Sequence, residues 1–414
     1  MDISTDIEKV SIDAIDVSDP DIWLRDEQHL YFERLRKESP IHYYDSDEYG
    51  PFWSLTRYQD IMTVNKNHKD WSSDHSNGGH VLGYENWFNE SSGLYWPMFL
   101  AMDEPEHGVQ RKAVSPVVST NNLKKMESLI RENVIDILDS LPEKEPFDWV
   151  ERVSVELTTR TIANLFDFPM RDRKLLTRWS DYAFAIPGDG LIQDWSERAS
   201  VMMEMKEVFE DLREERRKKQ GYDLISIIAN PIDGAELSSE EYMGNVILLL
   251  VGGNDTTRNS MTASVLGLSR FPTEYEKLKE NHHLIPSFCS EAIRWHTPLP
   301  QMKRTALRDV EVGPKRIAKG EKVVMWFISG NRDESVFQKP HEFIIDRPNI
   351  RNHMSFGFGL HRCLGNRLAE LQLRLIWESA LEKFESVEML SEPSRIRSNA
   401  IHGYTDMQVQ VKRF

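Results

Sequence analysis

The sequence predicts a mainly α protein with a smaller β portion, and three observations carry that prediction. Apolar residues recur at helical spacing through most of the middle of the chain. Strand-like alternation is confined to a few stretches towards its two ends. Neither an internal repeat nor a low-complexity linker breaks the 414 residues, a length sufficient to enclose a cofactor.

In chain order, amphipathic helical stretches are expected at about 121–141, 153–166, 195–219, 239–270, 286–296 and 366–384. Alternating, β-rich patterns fall at 41–55, 310–326 and 407–411. Pro187-Gly188-Asp189-Gly190 marks a turn between two helices. Residues 71–99 lack a clear period yet carry Trp71, Tyr84, Trp87, Phe88, Tyr95, Trp96 and Phe99. Long aperiodic segments in compact proteins are functional or disordered, and this aromatic content argues against disorder. The segment reads as a loop lidding an apolar cavity.

Composition narrows the function classes. The formal charge is -16, from 67 acidic and 51 basic residues. That balance argues against nucleic acid, whose phosphates require concentrated Lys and Arg. The basic run 213–219 is interrupted by Glu214 and Glu215 and reads as a solvated helix face. No stretch approaches the ~20 apolar residues of a membrane span. The N-terminus carries acid where a signal peptide needs a basic region, so a cytoplasmic location is expected. Two cysteines do not make a disulfide scaffold, and no Cys-x-x-Cys-His permits covalent c-type haem attachment. Cys289 lies in the helical stretch 285–295 and reads as a small core residue.

Cys363 is set differently, in Ser355-Phe356-Gly357-Phe358-Gly359-Leu360-His361-Arg362-Cys363-Leu364-Gly365-Asn366-Arg367-Leu368-Ala369-Glu370. Glycines around a cysteine let the backbone approach a flat ligand without a Cβ in the way. A helix starting near Leu364 or Gly365 aims its N-terminal N–H groups at the sulfur and favours the thiolate. His361 and Arg362 add donors for anionic groups. Taken alone, the loop also suits a structural or redox-active cysteine. The pattern Phe-x-x-Gly-x-His-x-Cys-x-Gly closely resembles the haem-binding signature of the cytochrome P-450 superfamily, with His361 in place of the more frequent arginine and a matching Ala369. The resemblance implies a cytochrome P-450 fold, haem b (iron protoporphyrin IX) as cofactor, Cys363 as the iron ligand, and Phe356, Gly357 and Gly365 as haem contacts.

Other segments match that family in order. Glu291 and Arg294, one helical turn apart, precede Pro298, Arg304 and Arg347, which implies a buried Glu291–Arg294–Arg347 cluster with a structural role. Asn331-Arg332-Asp333 resembles a fold-supporting turn. The run Val246-Ile247-Leu248-Leu249-Leu250-Val251-Gly252-Gly253-Asn254-Asp255-Thr256-Thr257 is poor as a plain helix, since each glycine costs about 1 kcal/mol relative to Ala. A local opening with polar groups would repay that cost by relaying protons. The resemblance makes Asp255 the proton-delivery acid and Thr256 its partner alcohol, with Gly252 beside the haem. It also makes His107, Arg111, Arg304 and His361 the partners of the haem propionates. It runs from about Ile41 onwards, implying one haem-monooxygenase domain over 41–414, a helical body with a small β region, after an N-terminal extension and first helix over 1–40.

The implied reaction is reductive activation of O2 and insertion of one oxygen atom into a C–H bond of a small apolar substrate. No flavin or nicotinamide module is recognisable, so a ferredoxin and ferredoxin reductase are the expected electron donors, with Arg362, Arg367 and Lys112 as a docking face. Four segments look closest to the bacterial alkane terminal-hydroxylase branch: 98–103, 253–261, 324–333 and 397–404. They imply terminal hydroxylation of a medium-chain alkane or fatty acid in a pocket of Phe99, Leu249, Val251, Gly252, Leu299, Met302 and Ile401. Such an apolar lining equally suits a terpene or steroid. A peroxide-driven peroxygenase is disfavoured by the intact Asp255-Thr256 pair, and a non-catalytic haem protein has no need of it.

Overall fold

A computed structural model describes residues 7–84, 94–185, 187, 190–218, 221, 223–230 and 236–414. Helix accounts for 54% and strand for 13%, the mainly α balance expected from the periodicity. The chain divides into two compact units, each assembled from separate stretches of sequence.

The first unit comprises Met1–Tyr84, Thr262–Cys363 and Ser391–Met407. Its centre is a mixed sheet in which Ile41–Ser46 pairs antiparallel with Gly50–Leu55, Ile41 opposite Leu55. Gly50–Leu55 runs parallel to Lys322–Trp326, which pairs antiparallel with Gln301–Ala306, and Trp71–Ser72 closes the far edge. Lys322–Trp326 shows why an interior strand reads as a continuous apolar run. Val323 and Met325 enter a core with Ile41, Leu55, Ile61 and Trp71, whereas Val324 and Trp326 enter another with Trp23, Phe32 and Leu35. The N-terminal residues are thus part of a core: Ile15, Val17, Ile22 and Trp23 cover that second face. Asp19 caps the helix Pro20–Leu24 there, accepting from the Asp21 N–H at 2.9 Å.

The helix Ile285–His296 buries nearly every side chain it carries, Cys289 included. Its charged pair is satisfied as the resemblance implies. Arg294 donates from Nε and Nη2 to both oxygens of Glu291, each at 2.8 Å, and Arg347 donates Nε to Glu291 Oε2 at 3.2 Å. Arg294 also reaches the carbonyls of Asn331, Pro340 and Glu342. Such full satisfaction is what allows three charges to stay buried.

The second unit comprises Glu85–Met261, Leu364–Leu390 and Gln408–Phe414 and is mostly helical. Thr120–Asp139, capped by Ser119, packs on Asn366–Lys383; Arg374 meets Glu127 and Arg131 meets Glu378, both at 2.7 Å. A small antiparallel sheet joins Phe147–Asp148, Gln408–Arg413 and Phe384–Met389. The helical stretch expected from 153 begins as a π-turn, Val150–Val155, and continues as Glu156–Phe166. Trp195–Arg217 departs from expectation on one face. Arg217 is surface-paired with Glu214, but Arg213 and Arg216 are buried, Arg213 stacking over Tyr242 and Arg216 pairing with Asp167. Lys219, and Gly188 and Asp189 of the expected turn, lie outside the described residues.

The helix Ser239–Arg270 contributes its residues through Met261 to this unit. Gly244 permits a close approach to it: a Cβ there would sit 2.1 Å from the Pro97 carbonyl oxygen. No helix among the described residues is long and apolar enough to cross a membrane.

Candidate active site

In the first unit the cysteine loop has the geometry that its glycines foreshadow. Gly357 and Gly359 take left-handed backbone angles, φ +63° and +71°. At Gly359 a Cβ would come within 3.2 Å of the Asn65 carbonyl oxygen, so a larger residue is both strained and obstructed. Asn65 also holds the loop from its side chain, its Oδ1 accepting from the Phe358 N–H at 2.6 Å. The Cys363 N–H donates to the Phe356 carbonyl at 2.8 Å and closes the turn. This leaves Cys363 exposed, in contrast to Cys289. Three residues on, the helix Asn366–Lys383 begins with Gly365 at its N-cap. A Cβ on Gly365 would meet nothing within 4 Å.

Phe356 and His361 are half-buried, and His361 Nε2 lies 3.2 Å from the Ser73 hydroxyl. Arg304 sits within Gln301–Ala306, 3% exposed, with Nη1 donating to the Lys303 carbonyl at 2.7 Å. A buried guanidinium with further donors is suited to an anionic group.

In the second unit, His107 and Arg111 stand one turn apart on Glu106–Val114. His107 is fully buried, edge-on to Phe99 at 6.0 Å, with Glu104 at 3.5 Å. Burial holds its basicity below the usual imidazole range, so it offers an N–H donor rather than a cation. A hydrogen-bonded chain that the motifs did not reveal ties this helix to the central one. Gln110 accepts from Asn245 at 2.8 Å and donates to Glu241 at 2.9 Å. Asn245 Oδ1 in turn accepts the Phe99 N–H at 3.5 Å.

The central helix remains helical through Gly252-Gly253, so the expected opening is a matter of side chains, not of backbone. The two glycines have separate causes. A Cβ on Gly253 would lie 2.4 Å from Ile162 Cδ1, whereas one on Gly252 would meet nothing within 4 Å. Gly252 is exposed, Thr256 and Leu248 half-buried and at i±4 from it, on a helix whose other faces are buried. Thr256 Oγ1 donates to the Gly252 carbonyl at 2.9 Å, which leaves lone pairs on its oxygen to accept.

Asp255 points the other way and is 3% exposed. Arg258 Nη2 lies 2.8 Å from its Oδ1 and equally 2.8 Å from Asp181, while Ser180 donates to its Oδ2 at 3.1 Å. Burial pushes the carboxyl up to about 6; Arg258 opposes that shift, Asp181 reinforces it, and the Ser180 hydrogen bond again opposes it. A buried acid poised there exchanges protons near neutrality.

Of the expected pocket residues, Leu249 is half-buried near the Gly252–Thr256 face, and Leu248, not foreseen, lies one turn before Gly252. Val251 is buried and Phe99 is 4% exposed. Leu299 is half-buried, and Ile401 is close to it in the fold because His402 N–H donates to the Pro298 carbonyl at 2.9 Å. Met302 is half-buried and packs against the sheet core of Ile41, Leu55 and Met325. Of the aromatic residues of the expected lid, Trp71 is an edge-strand residue, and Trp71, Tyr84, Trp96 and Phe99 are buried. Trp87 and Phe88 lie outside the described residues. Arg362, Arg367 and Lys112 are each exposed.

These residues fit a haem. In the first unit an exposed cysteine ends a tight glycine turn and buried Arg304 offers donors suited to a carboxylate; in the second, taken by itself, open space faces the α-carbons of Gly365 and Gly252, and His107 is a buried donor. Comparison with known proteins agrees. A family model described as "Cytochrome P450" matches residues 159–403. Linalool 8-monooxygenase of Pseudomonas putida is 33% identical over 398 residues, 95% of this chain and 98% of that one. The methyl-branched lipid omega-hydroxylase of Mycobacterium tuberculosis is 30% identical over 415 residues, 97% and 95% of the two chains. The solved structure of cytochrome P450-153 from Novosphingobium aromaticivorans has a TM-score of 0.89 at 40% identity, covering 96% of this chain and 99% of that one.

Proposed function

This chain belongs to the cytochrome P450 family, a haem b monooxygenase that hydroxylates apolar compounds, and from that premise we propose that Cys363 holds the iron and that the substrate is a medium-chain alkane or fatty acid oxidised at its terminal methyl. The observation that carries the reading is the exposed Cys363 at the end of its glycine turn, immediately before a helix N-terminus. The helix N–H groups favour sulfur as thiolate, the form that binds a metal. When bound, the haem supplies reductive activation of O2.

The chain's own residues manage protons, substrate and water. Asp255, buried and poised near pH 6, takes up a proton and passes it towards Thr256 on the same helix. Thr256 Oγ1, resting as donor to the Gly252 carbonyl, would release its own hydroxyl proton on the open face as it accepts that one, so the alcohol is neutral before and after. Arg258 and Ser180 orient the carboxyl while this happens. Arg304, His361, His107 and Arg111 are assigned to the haem carboxylates, and Phe356, Gly357, Gly365 and Gly252 to its faces. Phe99, Leu249, Val251, Leu299 and Ile401 exclude water around the substrate. Redox partners deliver the electrons; we take these to be a ferredoxin and its reductase, with Arg362, Arg367 and Lys112 as docking charges.

Similarity to a methyl-branched lipid omega-hydroxylase supports the terminal position. A terpene alcohol is the second reading, favoured by similarity to linalool 8-monooxygenase. Supplying isotopically heavy O2, a ferredoxin–reductase pair and an equimolar mixture of an n-alkane, its fatty acid and linalool separates the two. The proposal predicts one heavy oxygen in a terminal alcohol of the alkane or acid. Exclusive linalool oxidation, or label absent from the product, contradicts it.

A further inference from the structure

We propose that His402 is a positioning residue that fixes Ile401 against Leu299 and so determines which carbon of the substrate is oxidised. The inference deepens the reading above, resting on those two residues as pocket lining.

Leu299 is held rigidly by its own segment. Helix Ile285–His296 ends at Thr297 in a left-handed conformation, φ +54°, uncommon for a β-branched residue. Thr297 Oγ1 donates to the Arg294 carbonyl and accepts from Asn331 Nδ2, both at 2.8 Å. Pro298 and Pro300 then fix the backbone on either side of Leu299.

Ile401 is buried on a turn that contains no proline. The Ser398 hydroxyl accepts from the Ala400 and Ile401 N–H groups at 3.1 Å each, and Asn399 Nδ2 donates to the Ser18 carbonyl at 2.6 Å. His402 links this turn to the Leu299 segment by two hydrogen bonds, and the Tyr404 hydroxyl just beyond it lies 3.2 Å from His296 Nδ1. The His402 backbone N–H donates to the Pro298 carbonyl at 2.9 Å, and its ring Nδ1 donates to the His296 carbonyl at 2.7 Å. The ring also stacks on His296 at 4.3 Å, and His296 stacks on Tyr404 at 5.0 Å. Trp23 closes the edge at 6.0 Å.

With Nδ1 as donor, Nε2 is the acceptor of a neutral imidazole, facing Gln28 Nε2 at 3.4 Å. The charged and titratable groups around it are Asp26, 3.9 Å from Nε2, together with His29, Arg395 and Arg332. Burial pushes His402 down to about 4 and holds His296 well below the usual range, so the pair stays neutral throughout the neutral region. The clamp therefore acts as fixed geometry, independent of pH between about 6 and 8.

Three substitutions separate ring from donor. His402→Asn keeps a side-chain donor near the Nδ1 position and loses the stack; His402→Phe keeps the stack and loses the donor; His402→Ala loses both. Two readouts apply: amide hydrogen exchange of peptides spanning 398–403, measured on the haem-loaded protein, and the ratio of terminal to subterminal alcohol. The donor role predicts faster exchange in the Phe and Ala variants, with the product ratio falling about fivefold, the scale of one buried hydrogen bond. It predicts near wild-type behaviour in the Asn variant. Unchanged exchange in the Phe variant overturns the proposal, as does faster exchange with an unaltered ratio, or equal shifts in Asn and Phe. A wild-type protein that oxidises no apolar compound refutes the functional reading on its own terms, and the proposal that rests on it falls too. The exchange arm then still distinguishes the two failures, by whether the clamp itself is present.

Discussion

Replacing Asp181 with Asn removes one of two carboxylates that share the Arg258 guanidinium, and the effect on Asp255 has a definite sign. Both carboxylate oxygens lie 2.8 Å from the same Nη2, so they are at most about 5.6 Å apart (twice 2.8 Å). At an effective dielectric of about 20, two unit charges about 5 Å apart repel by roughly 3 kcal/mol, equivalent to about 2 pH units. Asp181 is 34% exposed, and solvent screening reduces the expected effect to about one unit. The Asp255 titration, about 6 in the wild type, should move down by that amount in Asp181→Asn. In Arg258→Gln, with the attractive charge gone, it should move up by ~1–2 units. The assay is the pH profile of product formed per electron consumed, with Asp255→Asn as the control that lacks the inflection. A carboxyl raised by burial contributes stability that is fully present below pH 3.8 and lost as pH rises through about 6. Thermal midpoints across that window should accordingly show a smaller decline in Asp181→Asn. Asp255 titration midpoints that coincide in all variants, or move in the same direction for Asp181→Asn and Arg258→Gln, refute the shared-guanidinium account.

Thr256→Ala should leave haem binding intact and divert electrons to hydrogen peroxide, seen as peroxide released per electron consumed; unchanged coupling contradicts its role as relay. Gly244→Ala and Gly252→Ala should behave oppositely. The first drives a Cβ into the Pro97 carbonyl and should lower stability by ~1–3 kcal/mol, while the second meets open space and should raise haem-free stability by up to ~1 kcal/mol in urea melts. Glu291→Ala leaves Arg294 and Arg347 buried without their carboxylate and should cost ~3–5 kcal/mol, read as a lowered denaturation midpoint.

What the sequence makes legible follows the reach of its signals. The long apolar helix Ser239–Arg270 and the cysteine loop are written in contiguous residues, and both are found where expected. The Glu291–Arg294–Arg347 cluster is non-local, yet the family resemblance supplies the pairing. Gln301–Ala306 escapes the alternation rule because Gln301, Lys303 and Arg304 are all buried, Gln301 meeting Leu82 and Lys303 meeting Gly78, both remote in sequence. Lys174–Ala183 looked unremarkable, although Ser180 and Asp181 on it hold the acid of the central helix. The Gln110–Asn245 link and the His402–His296 stack join residues more than 100 positions apart. No local period encodes such pairs. The burial of Arg213 and Arg216 is not legible in the charge run, which carries no mark of the tyrosine and aspartate that cover it.

The central claim, a sulfur–iron bond at position 363, is tested most directly by the absorption spectrum of the reduced, carbon-monoxide-bound protein. The account predicts a strongly red-shifted Soret band in the wild type and in Cys289→Ala, and its loss in Cys363→Ala. Retention of that band in Cys363→Ala, or a histidine-type spectrum in the wild type, contradicts it.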